Sequence, residues 1–346
     1  MKLRFQPRCA FGVRCDSILR RAQWTTLVLT LMIPLSAIRA ATPAWERLAS
    51  LPVPNGGFFS GVIDGKIIVA GGTTWKGDTK IWLDQMWAYD PSRDQWRETG
   101  RLPSALAYPV SAHDRRTLWF ASGSSGTRTD QGLWRMDTAG MPKRVAKIED
   151  AFVYASGGII GSSLYVVGGT DDQGKIDRVT NTFRAIDIST GQTTRLADYP
   201  EAGLTTGTAA VIGERLFVFG GARWDAQRAA VQNHGSAHAY SVAQKSWSAL
   251  PPLPHAVRGL TAVALDGRHI YLAGGYRNDD VEFVADAYLF DLQTQTYTPT
   301  TPLPYAGMVS LVLAGDWLYC LGGEDRQRHR SDAVFRIRVR RLAGTP

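Results

Sequence analysis

Residues 164–169 read LYVVGG, an apolar run of the kind found in buried strands, ending in a glycine pair. Similar runs recur as IIVAGG (67–72), LFVFGG (216–221), IYLAGG (270–275) and LYCLGG (318–323), with LWFASG (118–123) as a degenerate copy. Successive copies start 46 to 54 residues apart. A regular period of this length indicates one supersecondary unit repeated six times.

Each copy is followed by a second apolar and aromatic stretch, such as MWAYD at 86–90 and AYLFD at 287–291. Most units then carry a further aromatic residue, as at Trp96, Trp247 and Tyr297. Alternating strand patterns, turn residues between them and the lack of a long helical pattern favour four-stranded antiparallel units. We therefore predict an all-β fold, with residues 41–346 forming a single six-bladed β-propeller of four-stranded blades.

The N-terminal part of that domain predicts how the ring closes. After the sixth copy the sequence has too few residues for a fourth strand, whereas AWERLASLPVP (44–54) looks like the unit ending SWSALPPLP (246–254). Trp45 would then stand where Trp247 stands in its own unit. Pairing of this segment with the last blade would close the ring and remove free sheet edges.

The net charge of +8 is concentrated in a leader-like segment. Residues 1–40 hold seven Lys/Arg and one acid, so residues 41–346 carry 32 basic and 30 acidic residues, which argues against a nucleic-acid-binding role. Arg20 and Arg21, the apolar run 24–38 and the small residues that follow are typical of a secretory signal peptide. We predict cleavage near Ala40 and a periplasmic or secreted protein that leaves the membrane, with a retained anchor or a twin-arginine signal as alternatives.

Metal and redox chemistry have little support in the sequence. Cys9 and Cys15 would leave with the signal peptide, so Cys320, in an apolar strand, has no intrachain partner for a disulfide. Its position also argues against the copper ligands of a galactose-oxidase-type propeller. The histidines are scattered, and the His234 and His238 spacing lacks a helix, so we predict no metal site and no cofactor.

The repeats provide an internal comparison at the position directly after the glycine pair. Six residues stand there: Thr73, Ser124, Thr170, Ala222, Tyr276 and Glu324. Only Glu324 is a carboxylate, and it opens a loop that holds three arginines and His329. Because this loop lies at one end of the central channel of a propeller, we expect Glu324 to face a pocket. The alternative is a solvated surface cluster of ion pairs.

The spacing and the glycine pairs resemble kelch repeats over nearly all of residues 43–340. The segment GGEDRQRHRSDAVFRI (322–337) looks like the corresponding segment of the kelch-type N-acetylneuraminate epimerases, the sialic acid mutarotases. NGGF (55–58) also resembles a blade of that family, but that blade comes after the glutamate blade there, which implies a cyclically permuted member. Residues 203–206 (GLTT) depart from the family, which has an arginine entering this inner strand.

The resemblance implies an isomerase that interconverts the anomers of a small acidic sugar by acid–base ring opening. Glu324 is then the candidate acid/base and Arg330 the candidate for binding the sugar carboxylate in a fork that lysine cannot match. Further candidates for substrate contacts are Asn55, Phe58, Arg223, Arg258, Arg277 and Tyr276, with Trp75, Tyr108, Tyr154 and Tyr305 as possible stacking residues. The alternative is a non-catalytic propeller that binds a glycan or a protein.

Overall fold

A computed structural model describes residues 45–137 and 140–342 of the chain. The predicted signal peptide (residues 1–40) lies outside the described residues. The described residues form a β-propeller of six four-stranded antiparallel blades, as predicted, and they include two short 3-10 helices at Ile176–Arg178 and Val339–Arg341. Within the described ranges, no helix is long and apolar enough to cross a membrane.

The strands are numbered along the chain, and β1 (Glu46–Arg47) belongs to the last blade. Blade 1 contains β2 (Phe59–Ile63), β3 (Lys66–Ala70), β6 (Gln85–Asp90) and β7 (Gln95–Arg101), with an added hairpin of β4 (Thr73–Lys76) and β5 (Thr79–Trp82). Blade 2 contains β8 (Val110–His113), β9 (Leu118–Ala121), β10 (Gly132–Met136) and β11 (Lys143–Lys147). Blade 3 contains β12 (Ser156–Ile160), β13 (Ser163–Val167), β14 (Phe183–Asp187) and β15 (Thr193–Arg195).

The second half repeats this plan. Blade 4 contains β16 (Thr208–Ile212), β17 (Arg215–Phe219), β20 (Ala237–Ser241) and β21 (Ser246–Leu250), with an added hairpin of β18 (Ala222–Asp225) and β19 (Ala230–Asn233). Blade 5 contains β22 (Thr261–Ala264), β23 (His269–Ala273), β24 (Ala287–Asp291) and β25 (Thr296–Pro299). Blade 6 contains β26 (Met308–Ala314), β27 (Trp317–Arg326) and β28 (His329–Arg338), and β1 adds its outer strand.

The ring closes as the sequence predicts. β1 pairs with β28 in the register Glu46 to Arg336, and the indole Nε1 of Trp45 donates a hydrogen bond to the carbonyl of Pro302 at 2.8 Å. Outer-strand aromatics in three other blades likewise donate to a carbonyl that follows the outer strand of the preceding blade: Trp96 to Ala49, Trp247 to Ala197 and Tyr297 to Pro251. Trp45 therefore stands in the repeat where an outer-strand aromatic is expected.

The hydrophobic core lies between neighbouring blades. Apolar clusters fill the interfaces: Phe59 and Phe120 meet between blades 1 and 2, and Tyr89 and Tyr319 meet between blades 6 and 1. The second strand of each blade is buried on both of its faces, which is why its sequence is a continuous apolar run and does not alternate.

The glycine pair ends this strand because the chain turns tightly there. At Gly168 the backbone angle φ is 73°, and a Cβ would lie 2.2 Å from the carbonyl oxygen of Leu204 in the next blade. In the degenerate copy, Ser122 adopts a left-handed φ of 56°, and its hydroxyl donates to Asp130 O and accepts from Phe152 N. Ser122 thus makes two side-chain hydrogen bonds at a position that glycine occupies in the other copies.

Candidate functional site

The residues after the glycine pairs surround one end of the propeller axis. In every blade, this residue is bridged to the residue that leads into the innermost strand: Gly56 to Thr73, Ala107 to Ser124, Val153 to Thr170, Thr205 to Ala222, Arg258 to Tyr276 and Met308 to Glu324. The six positions aligned from the sequence are therefore structurally equivalent. Glu324 is the acidic residue of this set, and it lies in β27 of blade 6.

An axial cavity of about 490 Å³ opens at this end of the ring. Its wall takes residues from the inner-strand entry of every blade, including Phe58, Tyr108, Tyr154, Thr206, Gly259 and Met308. Glu324 and Arg330 both line it, so the structure brings the two predicted residues together. The volume lies in the range that binds small organic ligands.

Glu324 and Arg330 form an ion pair in the cavity wall. Arg330 Nη1 lies 2.7 Å from Glu324 Oε2, and the side chains are 4% and 28% exposed respectively. β27 and β28 hold the pair, because Glu324 stands near the end of one strand and Arg330 near the start of the other. One edge of the carboxylate is thus fixed by the guanidinium, and the side chain still reaches the cavity.

The remaining nitrogens of Arg330 are also engaged. Nε donates to the hydroxyl of Thr73 at 3.3 Å, and Nη2 donates to the phenolic oxygen of Tyr108 at 3.4 Å. Nη1 has a further long contact, 3.4 Å, with the carbonyl of His329. Arg330 therefore connects blade 6 to blades 1 and 2, and its geometry suits a group that orients Glu324.

Glycines at the start of blade 1 make room for this arrangement. A Cβ at position 56 would lie 2.6 Å from Arg330 Cδ, and one at position 57 would lie 2.2 Å from Tyr108 Cε1. The pair Gly56-Gly57 thus lets the backbone approach two side chains of the cavity wall. This gives a physical reason for the NGGF segment that the sequence singled out.

Tyr108 of blade 2 and Tyr154 of blade 3 form an aromatic part of the cavity wall. The rings of Tyr108 and Tyr154 lie 4.8 Å apart, and the ammonium of Lys80 lies 4.9 Å from the ring centres of both Trp82 and Tyr108. Burial raises the pKa of the Tyr108 phenol, but the charges of Lys80 and Arg330 and hydrogen bonding outweigh it, so this pKa lies below its ordinary value. Burial and the neighbouring Tyr108 raise the pKa of Tyr154.

The predicted substrate contacts of blade 1 have different surroundings. Phe58 lines the cavity. Asn55 is buried and does not line it: its Nδ2 donates to Gly71 O at 2.8 Å, its N–H donates to Ser331 O, and its carbonyl accepts from Gly323 N–H. Asn55 therefore joins the inner ends of blades 1 and 6.

The predicted contacts of blades 4 and 5 lie away from the cavity and have partners within these two blades. Arg258 lies 4.3 Å above the ring of Tyr276 and donates to Asn233 Oδ1 at 2.9 Å. Arg223 donates to Gln232 within its own hairpin, and Arg277 pairs with Asp286 at 2.7 Å. None of Arg223, Arg258, Tyr276 and Arg277 lines the axial cavity, although the charge of Glu324 acts on the pKa of Arg258.

The stacking candidates divide in the same way. Trp75, Tyr108 and Tyr154 line the cavity, whereas Tyr305 is turned into blade 6 and donates to Gly322 O at 2.6 Å.

Lys80 also lines the cavity and was not singled out by the sequence. It stands on the added hairpin of blade 1, which has no counterpart in blades 2, 3 and 5, so the repeat comparison gave no signal for it.

Comparison with protein families identifies the repeat. The model of the KLHDC2/KLHL20/DRC7 Kelch-repeats domain matches residues 154–341, which is more than half of the chain. The chain belongs to the kelch-repeat family. A second model, the Kelch motif, matches residues 54–103, so kelch repeats are recognised in both halves of the propeller.

Curated relatives of this kelch propeller have diverse names. It is 27% identical to Kelch-like protein terF of Aspergillus terreus, over 48% of this chain and 38% of that protein. It is 25% identical to N-acetylneuraminate epimerase 1 of Escherichia coli, over 54% of this chain and 57% of the relative. It is 24% identical to Kelch-like protein 36 of Rattus norvegicus, over 63% of this chain and 43% of that protein. The chain thus spans between 38% and 57% of the length of these relatives.

Two further features of the kelch propeller concern metal binding and thiol chemistry. Across the described ranges, no three or more His, Cys, Asp or Glu side chains are grouped as metal ligands would be. Cys320 is a free cysteine, fully buried between blades 5 and 6, and burial raises the pKa of its thiol to about 12. Cys320 therefore contributes to the apolar packing between these two blades.

Proposed function

We propose that this kelch propeller is a mutarotase that interconverts the anomers of N-acetylneuraminate or a related acidic sugar. The observation that carries the proposal is the Glu324 carboxylate, held against a buried guanidinium and lining an axial cavity of small-molecule size. Mutarotation needs a group that removes the anomeric hydroxyl proton and a group that protonates the ring oxygen. We assign the first of these roles to Glu324.

Arg330 has a different role in this proposal from the one expected from the sequence. Its nitrogens already contact Glu324, Thr73 and Tyr108, so its fork is occupied. Arg330 therefore positions Glu324, and the fixed carboxylate presents its other edge to the substrate. In an active site, such positioning reduces the reorganisation needed to reach the transition state.

Lys80 is the cation that we assign to the sugar carboxylate. The charged side chains that line the cavity are Lys80, Glu324 and Arg330, and within the described ranges no carboxylate pairs with Lys80. An ammonium held over aromatic rings can attract an anionic ligand without losing those ring contacts. The excess positive charge of the cavity favours an acidic sugar over a neutral one.

Two further observations support the proposal. One relative at 25% identity is named N-acetylneuraminate epimerase 1. The segment that contains Glu324 and Arg330 (322–337) also resembles the corresponding segment of that family. Because the N-terminal residues have the layout of a signal peptide, we also propose that the protein works outside the cytoplasm, in the periplasm or as a secreted protein.

The second candidate function is non-catalytic binding of a glycan or a protein. Two of the relatives described above carry the name Kelch-like protein, and they match over 184 and 273 residues, compared with 222 residues for the epimerase. In that case the Glu324–Arg330 pair would contact a ligand without proton transfer. The two functions differ in one measurable property, which is the rate of anomer exchange.

The test follows anomer exchange by proton NMR, starting from one anomer at a pH where the spontaneous reaction is slow. We expect the wild-type protein to accelerate exchange and Glu324→Gln to lose roughly two orders of magnitude or more of that acceleration, with a smaller change in binding. Glu282→Gln is the matched control, because Glu282 is an exposed carboxylate in a loop of blade 5. No acceleration by the wild type would reject the mutarotase and leave the binding function.

A further inference from the structure

Tyr108 and Tyr154 occupy equivalent strained positions in the cavity wall. Their φ angles are 58° and 60°, and the same position in blades 1 and 5 is filled by Gly57 and Gly259, with φ of 69° and 66°. A left-handed conformation is unfavourable for a residue with a side chain relative to its usual regions. Two bulky tyrosines thus stand where glycine would be easier, and both side chains face the cavity.

The polar surroundings of these two tyrosines differ. The Tyr108 oxygen accepts a hydrogen bond from Arg330 Nη2 at 3.4 Å and lies 3.3 Å from Thr73 Oγ1, and the Lys80 ammonium is 4.9 Å from its ring. Tyr154 has the Tyr108 ring as its neighbour. The surroundings shift the two phenol pKa values in opposite directions, lowering that of Tyr108 and raising that of Tyr154. The Tyr108 side chain is therefore the more ready proton donor of the two.

Arg330 links this phenol to the carboxylate of Glu324. Nη1 of its guanidinium contacts Glu324, and Nη2 contacts Tyr108. The two oxygen groups are therefore held at neighbouring corners of one rigid planar cation, and both line the cavity. A sugar that places its anomeric hydroxyl at one group would have its ring oxygen, two bonds away, on the side of the other.

We propose that Tyr108 is the proton donor to the ring oxygen, acting as the partner of Glu324 in the ring opening. This inference rests on the mutarotase function proposed above. In the opening step, Glu324 takes the proton of the anomeric hydroxyl, the bond between the anomeric carbon and the ring oxygen breaks, and Tyr108 gives its proton to that oxygen. The open form then holds a carbonyl and a new hydroxyl, while Lys80 and Arg330 stabilise the phenolate.

Closure reverses these transfers on the other face of the carbonyl. The new hydroxyl attacks the carbonyl carbon and returns its proton to Tyr108, and Glu324 returns its proton to the carbonyl oxygen. Both groups regain their starting protonation states, and no oxidant, reductant or metal takes part. The net result is the opposite anomer.

The experiment compares Tyr108→Phe with Tyr154→Phe, the matched control from the same wall. Anomer exchange is measured by proton NMR as a function of pH, and the melting temperature of each variant is checked. We expect Tyr108→Phe to lose roughly 100-fold of the acceleration, within the usual range for one general acid, and Tyr154→Phe to lose no more than about 5-fold. Equal losses in both variants would overturn the proposal, because the effect would then be one of packing.

The pH profile separates proton donation from a structural role. A phenol that donates its proton loses activity as pH rises through its pKa, which lies below the ordinary value of 10.0. Removing the Lys80 charge raises that pKa, so in Lys80→Met the high-pH fall in rate should move to higher pH. The part of the tyrosinate absorbance that rises together with the fall in rate should shift to higher pH in Lys80→Met, and it should be missing in Tyr108→Phe. A high-pH fall that stays in place in Lys80→Met would overturn the proposal.

Failure of the proposal is distinguishable from failure of the proposed function. Acceleration that is present in the wild type and survives in Tyr108→Phe removes Tyr108 from the reaction and keeps the mutarotase. A wild type that does not accelerate exchange rejects the mutarotase, and the role of Tyr108 with it.

Discussion

Gly56 leaves the space that the side chain of Arg330 occupies. A Cβ at position 56 would lie 2.6 Å from Arg330 Cδ and 2.7 Å from Nε, and the backbone of Gly323 is close behind at 3.3 Å. The backbone of blade 1 thus helps to hold the guanidinium against Glu324. The cavity wall depends on this contact between the first and last blades.

We predict that Gly56→Ala displaces Arg330 and destabilises the fold by about 1–3 kcal/mol, the usual range for overpacking a close contact. Chemical denaturation measures the free energy of unfolding. Gly267→Ala is the control, because a Cβ at position 267 has no neighbour within 4 Å and neither glycine has a left-handed φ. Equal effects of the two alanines would contradict the steric argument.

The buried partner of the ion pair should matter more for stability than a nearby exposed arginine. Arg330→Met leaves Glu324 without its cation, and we expect a loss of about 2–4 kcal/mol in the free energy of unfolding. Arg328, on the same β27–β28 hairpin, forms an exposed ion pair with Asp78 of blade 1, so Arg328→Met should cost less than about 1 kcal/mol. Similar losses in both variants would show that the Arg330 site is effectively solvated.

The ring closure can be tested at one hydrogen bond. Trp45→Phe removes the 2.8 Å hydrogen bond to Pro302, between blades 6 and 5, and Trp96→Phe removes the equivalent 3.0 Å bond to Ala49, between blades 1 and 6. Each should lower the free energy of unfolding by about 1 kcal/mol, since both bonds join neighbouring blades.

Deleting residues 1–47 should have a much larger effect on the melting temperature than deleting residues 1–43. If the deletion of β1 leaves the melting temperature unchanged, blade 6 is stable without its outer strand.

Acid should destabilise the protein through its buried histidines. Burial, helped by Arg223 and His238, lowers the pKa of His234 from 6.5 to about 4. Between these values the unfolded chain binds the proton and the folded protein does not, so stability falls as pH falls from 6.5 towards 4. We expect His234 to contribute about 2 kcal/mol of the loss between pH 6.5 and pH 5.

His234→Gln should flatten this pH dependence, measured as the free energy of unfolding at each pH. The control is His255→Gln, since His255 is an exposed residue. A slope unchanged by His234→Gln would mean that His234 is protonated in the folded state as readily as in the unfolded one.

The sequence predicted the fold because strand pattern and glycine pairs are local properties that six copies repeat. It also predicted the closure, since Trp45 matches Trp96 and Trp247 in type and spacing. Glu324 was singled out because one copy departs from the others, which comparison within the chain can reveal. Arg330 was singled out because its segment resembles that of the N-acetylneuraminate epimerases.

Comparison of the repeats could not predict how far each side chain lies from the propeller axis. Arg277 follows a glycine pair by two residues, as Arg223 does, yet each is bound within its own blade, to Asp286 and Gln232. Position along a strand specifies the end of the propeller but not the direction of a long side chain. The left-handed φ of Tyr108 and Tyr154 was also missed, although Gly57 at the same position was a possible indication.

Ring closure also affects the order in which this chain can fold. Blades 1 to 5 each use one continuous stretch of chain, whereas Glu46 of β1 bonds to Arg336 across 290 positions. Pairings with such large sequence separation form slowly, because a long loop must close before they gain any stability. Blade 6 should therefore be completed last. Until that step, the chain exists as an open ring with a three-stranded sixth sheet and an unpaired edge on β28, which is the species most exposed to association with other chains.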